Sequence, residues 1–242
     1  LFGSFANVCI HRLPRRLSVV SPGSHCPHCQ QFLRPWHSVP LLSYVILGGR
    51  CATCKITISP RYPLIEFGNA MLYVLLYRHF QLSPQGLILA LLATALLIVS
   101  CIDLAHTIIP DAITLPGIAV GLVVSTIYTP IGLPNALLGV VVGGGLFFGV
   151  AVLSVALLGR EGMGGGDIKL IALLGAFLGW EGVLVTIFFG AACGARVGLT
   201  LMLLQKKNRR DPVPFGPFLA FAALVTMLWG EPLLAWYMPR VF

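Results

Sequence analysis

GLILALLATALLIVSCIDLAHTIIPD, residues 86–111, decides the fold. Residues 86–101 carry no charged side chain, and a run of this kind reads as a membrane span. The run ends on a carboxylate, Asp103. Eight residues later Pro110-Asp111 opens another apolar stretch. An ionisable group at membrane depth is costly and is a functional candidate by default. One segment thus supplies a helix, its membrane boundary and a candidate reactive group.

Similar runs recur on either side. The spacing predicts spans at about 62–80, 87–102, 113–128, 137–158, 168–181, 183–204 and 215–236. Residues 1–13 end in basic side chains and read as the cytosolic end of a first span whose beginning is missing. Composition supports this reading. The chain of 242 residues is 57% hydrophobic and only 10% charged, whereas a soluble domain carries about 25% charged residues. Too little polar surface remains to coat a soluble core. The expected fold is an all-α polytopic membrane protein of about eight transmembrane helices, the first truncated.

Charge placement sets the expected topology. Residues 11–61 hold seven Lys or Arg and no acidic side chain, and Lys206, Lys207, Arg209 and Arg210 form a second cluster, within a net charge of +8. Basic loops between spans mark the cytosolic side. Putting the first loop inside also brings the second cluster inside by simple alternation. Asp103 and Asp167 then fall at cytosolic boundaries. Arg78, His79 and Arg240 run against the bias. The basic loops are a weak nucleic-acid signal once the membrane explains them, and no nucleic-acid partner is expected.

The first loop contains CPHC and CATC, which place Cys26, Cys29, Cys51 and Cys54 in two close pairs. Two such pairs suit a tetrahedral Zn²⁺. The longer loop between them costs little. Redox pairs or ordinary thiols are the alternatives, and a cytosolic loop disfavours disulfides. If all four ligate, no position remains open for catalysis. His25, His28 and His37 are spare candidates, read as surface side chains. The ion would replace a core that a loop of this size cannot build. The expected division is 1–13, end of the first helix; 14–61, a cytosolic four-cysteine zinc domain; and 62–242, the membrane-embedded part. Cys9, Cys101 and Cys193 lie in apolar runs and read as small buried side chains.

Only eight carboxylates exist. Asp103 and Asp167 stand on different predicted helices at the same membrane face. If they meet, two like charges in contact cannot both ionise, and the pair shares a proton. One can then act as base toward a water while the other donates to a scissile carbonyl. Helix-end carboxylates paired with Lys169 or Arg160 are the structural alternative, and a cation or proton pathway is the transport alternative. The glycines before Asp167, including Gly164 and Gly166, leave room for an extended peptide near the backbone. Lys169 is a candidate to tune Asp167 or bind a substrate carbonyl. Glu66 is a candidate for a cationic partner, the helix N-terminus or a substrate contact. Asp111 reads as a helix N-cap. Glu161, Glu181, Asp211 and Glu231 read as loop or cap residues, and Arg196 as a snorkelling or paired side chain. Gly143, Gly144, Gly145 and Gly149 read as helix-packing positions. No Ser/His/Asp or HExxH arrangement and no internal repeat are visible.

Five segments together carry a family likeness: GSFANVCIHRLP at 3–14, VPLLSYVILGGRC at 39–51, ISPRYPLIE at 58–66, IDLAHTIIPDAITLP at 102–116 and GMGGGDIKL at 162–170. With the cysteine pairs they resemble the type IV prepilin peptidases, the prepilin leader peptidase/N-methyltransferases, over nearly the whole chain. The resemblance implies a GxGD-type membrane aspartic peptidase with Asp103 and Asp167 as its catalytic pair. It implies cleavage of basic leaders from prepilins or pseudopilins at the cytosolic boundary of a bacterial inner membrane. It also implies zinc on the four cysteines, N-methylation of the new N-terminus from S-adenosylmethionine, and association with pilus or type II secretion components and membrane lipids. The segment holds no GxGxxG loop after a strand, so the methyl-donor site is unassigned. A transporter and a non-catalytic assembly scaffold are the competing functions.

Overall fold

A computed structural model describes residues 1–26, 28–33, 39–128, 131–159, 162–204 and 214–237, with side chains except at 158, 231 and 233–237. His37, Arg160, Glu161, Lys206, Lys207, Arg209, Arg210, Asp211 and Arg240, and the side chain of Glu231, lie outside the described set. The helices are α1 (Phe2–Arg12), α2 (Leu42–Ile46), α3 (Arg61–Phe80), α4 (Pro84–His106), α5 (Asp111–Ile127), α6 (Gly132–Leu158), α7 (Gly165–Leu203) and α8 (Gly216–Tyr237). The chain forms two compact units, Leu1–Ile98 and Val99–Phe242, with the boundary inside α4.

Helices occupy every segment where a span was expected, but the count of eight spans is corrected. Among the described residues three helices are long and apolar enough to cross a membrane: α4, α6 and α7. At 17 residues α5 is short: at the helical rise it reaches about 25 Å, against a hydrocarbon core of about 30 Å. The 20-residue α3 is long enough but carries Arg61, Glu66, Arg78, Asn69 and His79. These polar side chains dilute its apolarity. The chain is an all-α, multi-pass membrane protein, and several of its helices still turn large apolar side chains outward, Phe67 and Met71 on α3 among them.

In the first unit α1 packs on α3. Asn7 Nδ2 donates to the carbonyls of Tyr62 at 3.2 Å and Gly3 at 3.4 Å. Farther along, Thr94 Oγ1 donates to Asn69 Oδ1 at 2.9 Å, and Tyr73 Oη lies 3.0 Å from the same hydroxyl. Lipid offers helices no hydrophobic drive to associate, so such polar links and close packing hold them.

In the second unit the first half of α7 is the hub. Leu170, Ile171, Leu173 and Leu174 are essentially fully buried. Gly175 of α7 and Gly139 of α6 meet backbone to backbone, leaving no space for a Cβ on either. Of the expected packing glycines on α6, Gly143 and Gly144 do face α7, whereas Gly145 and Gly149 face open space. Thr186 Oγ1 of α7 donates to Thr226 Oγ1 of α8 at 3.0 Å.

The two expected spans 168–181 and 183–204 are two helices that meet within Gly165–Leu203 at a kink, where Gly179 alone is non-helical, at φ 69 and ψ −179. A residue with a Cβ resists that conformation. The expected turn at 180–182 is therefore a one-residue break, displaced toward the N-terminus.

Candidate active site and cysteine centre

The last turn of α4 carries Asp103, which is 5% exposed. The helix stops because Thr107 takes a positive φ, its N–H donating to the Asp103 carbonyl at 2.8 Å. The Asp103 carboxylate turns to the start of α8, where Oδ2 accepts the Gly216 N–H at 2.9 Å. Helix N-termini present unpaired amides and favour anions.

Asp167 stands in the first turn of α7, again a place that suits a carboxylate. Gly164 is the N-cap in extended conformation, and its carbonyl accepts the Asp167 N–H at 3.1 Å. The Asp167 side chain folds back so that a Cβ on Gly164 would stand 3.4 Å from Oδ2. Gly166 has another task. A Cβ there would lie 2.8 Å from Ile109 Cβ, so only glycine lets the loop after α4 lie against α7.

The two aspartates line one cavity of about 230 Å³, with Thr107, Ile108, Ile109, Asp111 and Gly164, Gly165 and Gly166 completing the wall. Gly165 also borders an apolar recess of about 470 Å³ formed by Ala151, Val152, Val155, Ala156 and Met163. Two carboxylates therefore line a cavity that sits beside an apolar depression.

Two expectations about the surroundings need correction. Asp111 is not an N-cap: Pro110 occupies the cap, and no side chain closes it. Lys169 does not pair with Asp167 but holds both oxygens of Asp111, at 2.7 and 2.8 Å. The ammonium reaches across 58 positions of sequence, which no local pattern reveals. Sequence reasoning missed Gly216. The Gly-Pro step opening an apolar run, a known preference of helix starts, was its one visible signal.

Glu66 also has a specific partner. Its Oε2 accepts the N–H of Leu41 at 2.9 Å, and Leu41 has a positive φ of 61. A Cβ on Gly3 would stand 2.9 Å from Glu66 Cα, so α1 crosses α3 at this residue. Glu66 thus ties the stretch between the two cysteine pairs to α3; among the described residues it has no cationic partner.

The four cysteines come together. The sulfurs of Cys26, Cys29, Cys51 and Cys54 lie within 4.8 Å of one another, and the group can hold a metal ion. Ligands at a Zn–S distance of about 2.3 Å around a tetrahedral ion stand about 3.8 Å apart. Cys26 Sγ and Cys54 Sγ are 3.8 Å apart. The expectation of no internal repeat fails here. Each pair sits in the same hydrogen-bonded knuckle, 25 residues apart: Cys26 N–H to Gln31 O and Cys51 N–H to Ile56 O, Gln30 N–H to Cys26 O and Lys55 N–H to Cys51 O. Gln30 and Lys55 both take positive φ, and the His25–Phe32 and Arg50–Thr57 bridges flank the two knuckles. The shared geometry hides behind dissimilar side chains.

The backbone amides of Cys54 and Thr53 hold the Cys51 thiol down to about 6, the ionised form a metal requires. The Ile56 amide pulls Cys54 down too, but burial and the three neighbouring sulfurs outweigh it and push that thiol up to about 11. His25 Nδ1 lies 3.1 Å from the Gly23 carbonyl and its ring packs on Phe32, while His28 is exposed. Cys9 is buried as expected, while Cys101 and Cys193 are intermediate.

Residues 1–80 match the bacterial peptidase A24 N-terminal domain and residues 90–199 match the type IV leader peptidase family. The prepilin leader peptidase/N-methyltransferase of Stutzerimonas stutzeri is 38% identical over 261 aligned positions, covering 98% of this chain and 90% of the relative. Those of Pseudomonas aeruginosa and Aeromonas salmonicida are 36% and 35% identical, covering 98% and 100% of this chain and 90% and 91% of the relatives. The chain belongs to the type IV leader peptidase family. No solved structure matches it.

Proposed function

We propose that this chain cleaves the basic leader from type IV prepilins or pseudopilins and N-methylates the new N-terminal residue. The observation that carries the peptidase half is the single cavity lined by Asp103 and Asp167 from separate helices. One carboxylate takes a proton from a water, and the resulting hydroxide attacks the scissile carbonyl. The protonated partner hydrogen-bonds the carbonyl oxygen as it becomes a gem-diol. Collapse of the diol breaks the C–N bond: the carboxyl that took the water's proton gives it to the departing amine, and the other carboxylate, which protonated the carbonyl oxygen, takes a diol proton back. Neither a metal nor a covalent intermediate is needed. The apolar recess at Gly165 suits the hydrophobic segment that follows the cleavage site.

Residues 14–61 act as a cytosolic domain folded around one structural Zn²⁺ held by Cys26, Cys29, Cys51 and Cys54. The ion supplies cohesion, since four thiolates leave it no open position. S-adenosylmethionine supplies the methyl group; among the described residues no nucleotide-binding loop marks its site. The protein crosses the bacterial inner membrane several times, with the zinc loop and both aspartates on the cytosolic side. Pilus or type II secretion components are its working partners. Membership of a peptidase family favours this reading over a transporter or a passive scaffold.

Incubating the purified protein with a prepilin and the methyl donor, then measuring product mass and N-terminus, tests both halves. Loss of the leader plus one methyl is the expected result. Solute movement with an intact prepilin would overturn it.

A further inference from the structure

Residues 215–218, Phe-Gly-Pro-Phe, open α8, and the mechanism above gives them no task. Yet Gly216 touches the reactive pair. A carboxylate rotates freely about its last torsion, a broad twofold well, so something must decide which oxygen of Asp103 faces the cavity. The Gly216 N–H, 2.9 Å from Oδ2, donates to that carboxylate. It is the first amide of α8 and has no partner within its own helix. The next residue, Pro217, has no N–H to offer and pre-sets the helical φ.

The fit is tight. A Cβ on residue 216 would stand 2.8 Å from Asp103 Oδ2, 3.3 Å from Cγ and 3.4 Å from Cβ. Any side chain must displace the carboxylate or the helix. Displacing the helix is the harder course, because its start is wedged in place. The Phe215 ring lies 6.1 Å from Phe147 of α6 and 6.3 Å from Phe218, and its edge would meet a Cβ on Gly194 of α7 at 3.1 Å.

We infer that Gly216 is a positioning residue for peptide cleavage: its amide fixes the rotation of the Asp103 carboxylate, and its missing side chain lets α8 approach that carboxylate. This rests on the reading of Asp103 as one of the catalytic pair. With Oδ2 occupied by the amide, Oδ1 is the oxygen left for water and the shared proton.

The test compares Gly216→Ala with Gly198→Ala, a substitution on α7 where the new methyl meets open space. For each, kcat and KM are measured on a prepilin, and methyl transfer is measured on pilin whose leader has already been removed. Misplacing a reacting group by about 1 Å costs about 100-fold in rate, so Gly216→Ala should lose kcat on that scale, with KM and methyl transfer unchanged. Gly198→Ala should match the wild type. Full kcat in Gly216→Ala, equal loss of both activities, or the same loss in Gly198→Ala would overturn the inference.

If Gly216→Ala does not fold, glycolic acid placed at position 216 by nonsense suppression removes the N–H and adds no atom. Loss of one hydrogen bond to a charged group predicts about a tenfold fall in kcat, and an unchanged kcat would overturn the inference. Failure of the catalytic reading itself looks different: the wild type would cut no prepilin, or Asp103→Asn would cut normally.

Discussion

The cysteine loop and the aspartate cavity gather their side chains by opposite means. In the loop, two CxxC pairs each fold into a local knuckle, and every hydrogen bond that shapes a knuckle spans nine residues or fewer. In the cavity, Asp103 and Asp167 come from different helices, and Gly216 reaches Asp103 across 113 residues. Local geometry with a metal can stand in for a core. A carboxylate pair near apolar surroundings needs a packed bundle to hold it. The loop should therefore tolerate changes elsewhere in the chain, and the cavity should not.

The sharpest way to break that contrast is to remove a carboxylate. Asp103→Asn or Asp167→Asn should lower prepilin cleavage by about 1,000-fold or more, since a carboxamide cannot exchange the proton, while methyl transfer to pre-cleaved pilin persists. Measuring both activities in folded protein checks this. Normal cleavage by either variant would end the two-aspartate mechanism.

Metal removal probes the other region. Metal analysis should find one zinc per chain. Cys26→Ser should lose that zinc and impair methyl transfer more than cleavage. Equal loss of both activities in well-folded protein would reject this division. After chelation, alkylation should find Cys51 reacting at lower pH than Cys54, with midpoints at about 6 and about 11. The sign follows from which form reacts: the thiolate predominates above each midpoint. One ordinary midpoint shared by Cys51 and Cys54 would show that the knuckles do not persist without metal.

A smaller effect is expected at Gly166. The Cβ of Gly166→Ala would collide with Ile109, 2.8 Å away, and shift the loop that lines the cavity. Cleavage should fall about tenfold, within the range expected for a displaced wall, with zinc content unchanged. Zinc loss in this variant would contradict the independence of the two regions. The smallest effect belongs to Lys169→Met. Its bridge to Asp111 is half exposed, 39% and 55%, and such pairs contribute about 0–1 kcal/mol. Thermal unfolding should barely move, and cleavage should change by less than about fivefold on that energy scale.

Much of both regions could be read directly from the residues. Long apolar runs located the helices because burial in lipid demands unbroken apolar stretches. CPHC and CATC located the thiols, because close ligand pairs must be close in sequence. Asp103 and Asp167 stood out because charge is rare beside apolar runs. The number of convincing spans was harder to read, since α3 and α5 trade apolarity or length against contacts inside the bundle. Asp111 looked like a cap because Pro110 can hold the cap position without offering a side-chain acceptor. The repeat of the two knuckles was invisible because it lies in backbone hydrogen bonds, which side chains such as Gln30 and Lys55 do not advertise.

The amino-acid order alone determined the helical membrane class, the four clustered thiols and the two boundary aspartates. Each depends on composition or on spacing within a few residues. Only the tertiary structure decided that Lys169 serves Asp111, that Glu66 holds Leu41, that α7 breaks at Gly179 and that Gly216 meets Asp103. These are contacts between distant segments, or a backbone break, chosen by how helices pack, and packing depends on every neighbouring shape at once.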